Sequence, residues 1–186
     1  RKATALEPGL RCYEDVLDYV ARVRDAQRLK ERVDRLFPKG AESARFETLL
    51  KTPLHPYQRE GALAAARAGR FIIADDMGLG KTVQAIAAAE ILMQAGVVEK
   101  VLVVTPTSLK RQWQGEIGRF TGHGALVIEG LYPARRDAYA AQESPYKIIN
   151  YDVVRRDLPL ISGWEPDLVI LDEAQRIKNW KTLTAK

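Results

Sequence analysis

The sequence predicts an α/β fold with a largely parallel sheet flanked by helices, and three observations predict it. Short strand-like runs at 71–74, 101–104, 125–129, 147–149 and 168–171 alternate with stretches of helical periodicity. The first run breaks into a loop with two glycines, followed by Lys81-Thr82 at the head of an alanine-rich helix. Polar residues close the runs (Asp75-Asp76, Thr105, Asn150 and Asp172-Glu173), and in parallel sheets ligands collect at the carboxyl ends of the strands.

Composition sets the bounds. A chain of 186 residues with 46% hydrophobic and 28% charged residues is sized for one domain with a sizeable core, or one domain with an appendage. The net charge of +5 suits a polyanionic partner. Cys12 is the sole cysteine, which excludes an internal disulfide and fits a reducing, intracellular compartment. Glu90 interrupts the longest apolar run, so no membrane span is expected, and the start carries no signal-peptide pattern. A chain that begins at Arg1 and stops at Lys186 with no closing element is expected to be a piece of a longer protein.

In order, residues 1–12 are irregular, with a turn at Pro8-Gly9. Residues 14–37 are expected to be helical, because Val16, Val20, Val23, Ala26, Leu29, Val33 and Leu36 recur every three or four positions. Acidic residues crowd the start of this helix and basic ones its end, in the sense that complements the helix dipole, and Pro38-Lys39-Gly40 stops it. A short second helix is expected over 42–51. Pro56 suits the first turn of a helix that runs to Gly69, which places Gln58 just ahead of the loop. Helices are further expected over 108–120 and 133–143.

The stretch FIIADDMGLGKT, residues 71–82, has the layout of a phosphate-binding loop. Glycines let backbone N–H groups close around phosphate oxygens, and the following helix N-terminus adds unpaired donors and partial positive charge. Asp76, Met77, Gly78, Leu79 and Gly80 would form the cradle, Lys81 would reach the β- and γ-phosphates, and the Thr82 hydroxyl would ligate Mg²⁺. The strict pattern has glycine where this chain has Asp75. The amide of Gln58 offers one donor and one acceptor, the pair that reads an adenine edge.

LVILDEAQRIKN, residues 168–179, supplies the second half of the site. A buried strand would deliver Asp172 to hold Mg²⁺ and Glu173 to orient and deprotonate the attacking water. Adjacent residues in extended chain point to different sides, so one pair serves two roles. Both halves suit phosphoryl transfer, in which catalysis is mostly positioning and electrostatics.

LHPYQREG, DDMGLGKT, the spacing Pro106-x-x-Leu109-x-x-x-Trp113-x-x-Glu116, Ile149-Asn150-Tyr151 and DEAQRIKN occur in one order. Together they closely resemble the first RecA-like lobe of Swi/Snf-type ATPases in helicase superfamily two, over about residues 50–182. Asp75 fits the loop of that family, whereas Gln175 stands where many members have histidine. The resemblance implies a RecA-like ATP-binding domain over 46–186, preceded by a helical segment, 1–45, that matches nothing nameable. It implies ATP and Mg²⁺ as cofactors and duplex DNA as partner, with ATP used to translocate generally without separating strands. Thr105, Ser108, Asn150, Tyr151, Arg176, Lys178 and Asn179 would fall in segments beside the DNA, and Trp113 would pack in the core. A second RecA-like lobe, supplying arginines to the γ-phosphate, and a further strand beside the phosphate-loop strand are both expected outside this chain. A strand-separating RNA or DNA helicase and a nucleotide-binding module without turnover are the alternatives.

Overall fold

A computed structural model describes residues 14–76 and 78–177. The irregular segment expected over 1–12 and the roles expected of Met77, Lys178 and Asn179 lie outside them, as does the side chain of Arg176. Helix α1 (Glu14–Leu36) leads into a 3₁₀ turn at Gly40–Glu42, the short α2 (Phe46–Leu49), α3 (Pro56–Ala68) and α4 (Lys81–Gln94). Then follow β1 (Val101–Thr105), a 3₁₀ turn at Thr107–Leu109, α5 (Lys110–Phe120), β2 (Ala125–Val127) and α6 (Tyr132–Ala140). The chain continues through β3 (Tyr146–Asn150), α7 (Tyr151–Trp164), β4 (Leu168–Leu171) and a 3₁₀ turn at Ala174–Ile177.

The four strands are all parallel, in the order β2-β3-β1-β4. Every residue of β1 and β3 is buried, which is why these two strands read as unbroken hydrophobic runs rather than as alternation. Successive residues of β1 serve opposite faces. Val101 and Val103 join one core with α3, α4 and Trp113 and Ile117 of α5, while Leu102 and Val104 join the other with Tyr139 of α6 and Tyr151 of α7. Three layers result, helices on both sides of a sheet, in a RecA-like arrangement that presents the loops after β1, β3 and β4 along one edge. Among the described residues no helix is long and apolar enough to cross a membrane.

Four expectations need correction. The run at 71–74 is not a strand: Phe71 is 51% and Ile72 85% exposed, and no ladder partner lies beside them among the described residues. Apolar composition encodes a wish to be buried, but a strand also needs a neighbour, and the sheet stops at β4. The stripe of α1 is not continuous. Leu29, Val33 and Leu36 pack on the core, whereas Val16, Val20 and Val23 are exposed, because at about 100° per residue they sit about 140° round the helix from that face. The helix expected over 42–51 shrinks to the turn at Gly40–Glu42 and α2. Finally, no helix was expected over 151–164, where α7 forms with Pro159 inside it.

The last helix is held from outside. Asp157, fully buried, accepts two hydrogen bonds from Nε of Arg135 at 2.8 and 3.1 Å and one from its Nη2 at 2.7 Å, and Arg135 Nη1 also donates to the Gly130 carbonyl. This pairing clasps α6 to α7 and satisfies both charges, the condition under which a buried ion pair is tolerated. α7 matters to the site because it starts at Tyr151.

Candidate active site

The phosphate-binding segment is built by backbone geometry that only glycine adopts cheaply. Gly78 has φ 87° and Gly80, the residue before α4, has φ 75° and ψ 43°. A Cβ on Gly80 would lie 2.7 Å from Gln58 Nε2 and 3.0 Å from Val83 Cγ1, so the loop passes the end of α3 at a distance that excludes a side chain. Lys81 is the first residue of α4, and its ammonium donates to the carbonyls of Asp75 at 2.9 Å and Asp76 at 3.1 Å, folding over the loop it follows. Thr82 is half-buried on the same first turn.

Asp75 has a structural job that the sequence did not reveal. Its Oδ2 accepts a 2.6 Å hydrogen bond from Nε2 of Gln84, one turn into α4 and almost wholly buried. The carboxylate thereby ties the start of the loop to the helix that ends it, which accounts for an aspartate where the strict pattern has glycine. Gln58 is likewise engaged. Its Oε1 accepts the His55 N–H at 3.0 Å, and its Nε2 donates to Tyr57 Oη and to the Leu79 carbonyl, both at 3.3 Å. Its side chain is therefore a brace between α3 and the loop. The expected adenine contact would have to use the second lone pair of Oε1 or displace one of these bonds. Tyr57 Oη reaches the same Leu79 carbonyl at 3.3 Å, and a cavity of about 490 Å³ opens here between Tyr57, Glu60, Gly61, Asp75, Leu79 and Gln84.

At the end of β4, Asp172 continues the ladder by donating its backbone N–H to the Val104 carbonyl at 2.9 Å. Its Oδ2 accepts from Thr105 Oγ1 at 3.0 Å and from Trp113 Nε1 at 2.8 Å, and its carbonyl accepts from Tyr151 Oη at 2.7 Å. Glu173 follows in the left-handed region at φ 52°, a conformation uncommon for a residue with a side chain and found where the surroundings enforce it. Glu173 therefore does not lie in the extended chain expected for the pair, because the strand ends at Leu171 and turns. Gln175, standing where a histidine was the commoner expectation, donates its amide N–H to Glu173 Oε2.

The residues expected beside DNA divide. Ser108 is exposed on the turn after β1. Thr105 is fully buried, Tyr151 is 7% and Asn150 9% exposed, with the Asn150 amide donating to Asp152 Oδ2 at 3.1 Å. Thr105 and Tyr151 both turn their hydroxyls to Asp172, so a duplex contact by either side chain would compete with that bond. Trp113 is 3% exposed in the main core, as expected, but its indole N–H reaches the site, which no local pattern signals across the intervening chain.

The donor set can be tested against Mg²⁺. Among the described residues no cluster of three or more His, Cys, Asp or Glu could cage a metal. The residues expected to hold it, Thr82 and Asp172, would offer one hydroxyl and one carboxylate, a sparse set. It fits a cation that keeps several waters and takes its other oxygens from a substrate phosphate.

Comparison with known proteins bears on this geometry. The SNF2-related domain profile matches residues 26–186. Protein CHROMATIN REMODELING 25 of Arabidopsis thaliana is 35% identical over 155 residues, 70% of this chain and 17% of that protein. The DNA repair and recombination protein RAD54B of Gallus gallus is 34% identical over 151 residues, 71% of this chain and 16% of that protein. Among solved structures, the Sulfolobus solfataricus SWI2/SNF2 ATPase core in complex with dsDNA superposes with a TM-score of 0.61 at 30% identity, covering 73% of this chain and 29% of that one. The chain thus spans about a sixth of the length of these two curated relatives.

Proposed function

Because the chain belongs to the SNF2-related domain family, we propose that it is the ATP-binding lobe of a motor that hydrolyses ATP with Mg²⁺ and moves along duplex DNA. The observation that carries this reading is the left-handed Gly78 and Gly80 turn into a helix headed by Lys81 and Thr82, within the same domain as Asp172 and Glu173 at the end of β4.

Each residue has a task that its position supports. The loop amides and the N-terminus of α4 bind phosphate oxygens, and Lys81 exchanges the Asp75 and Asp76 carbonyls for the β- and γ-phosphates. Thr82 and Asp172 would hold Mg²⁺, which would neutralise charge on the phosphates. Glu173 orients a water and takes its proton as the water oxygen attacks the γ-phosphorus and ADP leaves. Gln175 fixes the Glu173 carboxylate by its amide. A second lobe supplies arginines to the γ-phosphate, and the two lobes close on the duplex. Such a motor works inside the cell, where the nucleotide and the DNA are.

Two substitutions in the intact protein test the reading. Lys81→Ala should abolish ATP binding measured by calorimetry, because the triphosphate loses its ammonium partner. Glu173→Gln should keep ATP binding while turnover falls by roughly two or more orders of magnitude. Duplex DNA should stimulate the wild type more than single-stranded DNA or RNA. Equal ATP affinity in wild type and Lys81→Ala would remove the phosphate-loop assignment, and stimulation only by single strands would favour an unwinding helicase.

A further inference from the structure

Asp172 is held by three hydrogen bonds from three different elements. Two donors from β1 and α5 converge on one oxygen, Oδ2, at 3.0 and 2.8 Å, while a third, from the start of α7, holds the carbonyl of the same residue at 2.7 Å. All three donors are buried: Thr105 is 0%, Trp113 3% and Tyr151 7% exposed. Among the described residues Oδ1 has no hydrogen-bond partner. The terminal torsion of an aspartate is broad and offers little resistance to rotation on its own. An indole N–H is a donor only, and a hydrogen bond from it to a carboxylate is charge-assisted, so the pair is directional and strong.

We infer that Trp113 and Thr105 are positioning residues that lock the Asp172 carboxylate so that Oδ1, rather than either oxygen at random, faces the metal and its waters. Tyr151 fixes the backbone from which the carboxylate projects. The inference rests on the reading of Asp172 as the Mg²⁺ carboxylate. It adds that the metal affinity of the site is set by side chains outside the loop and the Asp-Glu pair. Groups that orient a ligand in this way typically change metal affinity by about 10–100-fold when removed.

The test uses Mn²⁺ as the probe in the intact protein with nucleotide present, its binding followed by the loss of the free-ion electron paramagnetic resonance signal. Nucleotide affinity in EDTA and thermal denaturation serve as controls on the fold. Thr105→Val is isosteric and lacks the hydroxyl; Thr105→Ser keeps it. Thr105→Val and Trp113→Phe should each weaken Mn²⁺ by about 10-fold with nucleotide affinity in EDTA unchanged, and Thr105→Ser should bind Mn²⁺ as the wild type does. If the Trp113 variant does not fold, the valine and serine pair decides alone. Wild-type Mn²⁺ affinity in Thr105→Val and Trp113→Phe, with affinity lost in Asp172→Asn, would overturn the positioning role and leave the carboxylate assignment standing. Wild-type affinity in Asp172→Asn would overturn that assignment and the inference with it.

Discussion

Gly80 is a residue where one added methyl group meets both a backbone and a packing cost. An alanine there must hold φ near 75° and place its Cβ 2.7 Å from Gln58 Nε2 and 3.0 Å from Val83 Cγ1. Gly78 has φ 87° but open space around it, so alanine there meets only the backbone cost. Gly80→Ala should therefore lose about 1–3 kcal/mol of stability together with most nucleotide affinity, and Gly78→Ala distinctly less of both. Calorimetry of ATP binding beside thermal denaturation checks the contrast, and equal effects at the two positions would contradict it. The placement of Lys81 and Thr82 at the head of α4 and of the Asp172-Glu173 pair at the end of β4 was legible in the sequence because it depends on spacing along one loop or one strand end. The partners of Asp75, Gln58 and Asp172 were not, because Gln84, Leu79, Thr105 and Trp113 reach them through tertiary approach.

Elements were legible where their cause is local. The helices after Pro56 and Lys81 and the runs that became β1, β3 and β4 follow from caps, periodicity and apolar content. α7 was not, because Pro159 argues against a helix locally and the Arg135–Asp157 clasp overrides it from another element. Lys147 on β3 is a similar case, a charge inside a strand. It is fully buried, donates to the carbonyls of Tyr139 and Ala141, and sits 4.5 Å from the centre of the Trp164 ring. Burial first, and then Lys100, push its pKa down from 10.5 to about 8. Below pH 8 the amine is charged in both folded and unfolded chains. Above it the folded chain loses the proton while the unfolded chain keeps it, so stability rises with pH from about 8 towards 10. Beyond that, the buried Tyr139 and Tyr146 phenols, raised chiefly by burial, act in the opposite sense. Lys147→Met should abolish the rise, as read from the midpoint of thermal unfolding at pH 7.5, 8.5 and 9.5. A slope unchanged by the substitution would assign the rise elsewhere.

At the scale of the whole molecule, the sheet of the described residues has two edge strands, β2 and β4, and it is the β4 side that exposes apolar surface. β1 is paired on both flanks, but β4 is paired only with β1, and its Val169 and Leu171 are 47% and 44% exposed. Phe71 and Ile72, leading into the phosphate loop, are exposed as well. An unpaired strand edge and an exposed apolar run are both costly, and the further strand that the family resemblance implies would cover both. In a protein that carries this chain within a longer sequence, as its relatives do, such a strand would pair with β4 on one flank and with residues 71–74 on the other. The loop glycines would then hang from a fixed strand, which lowers the ordering cost of binding a triphosphate. Hydrogen exchange followed by mass spectrometry checks this. In the isolated 186 residues, amides at 71–74 should exchange at rates close to those of unfolded chain while β1 and β3 are protected. In the longer protein 71–74 should gain protection comparable to β1, and ATP should bind more tightly. Strong protection of 71–74 in the isolated chain would mean that the segment finds its partners without a further strand.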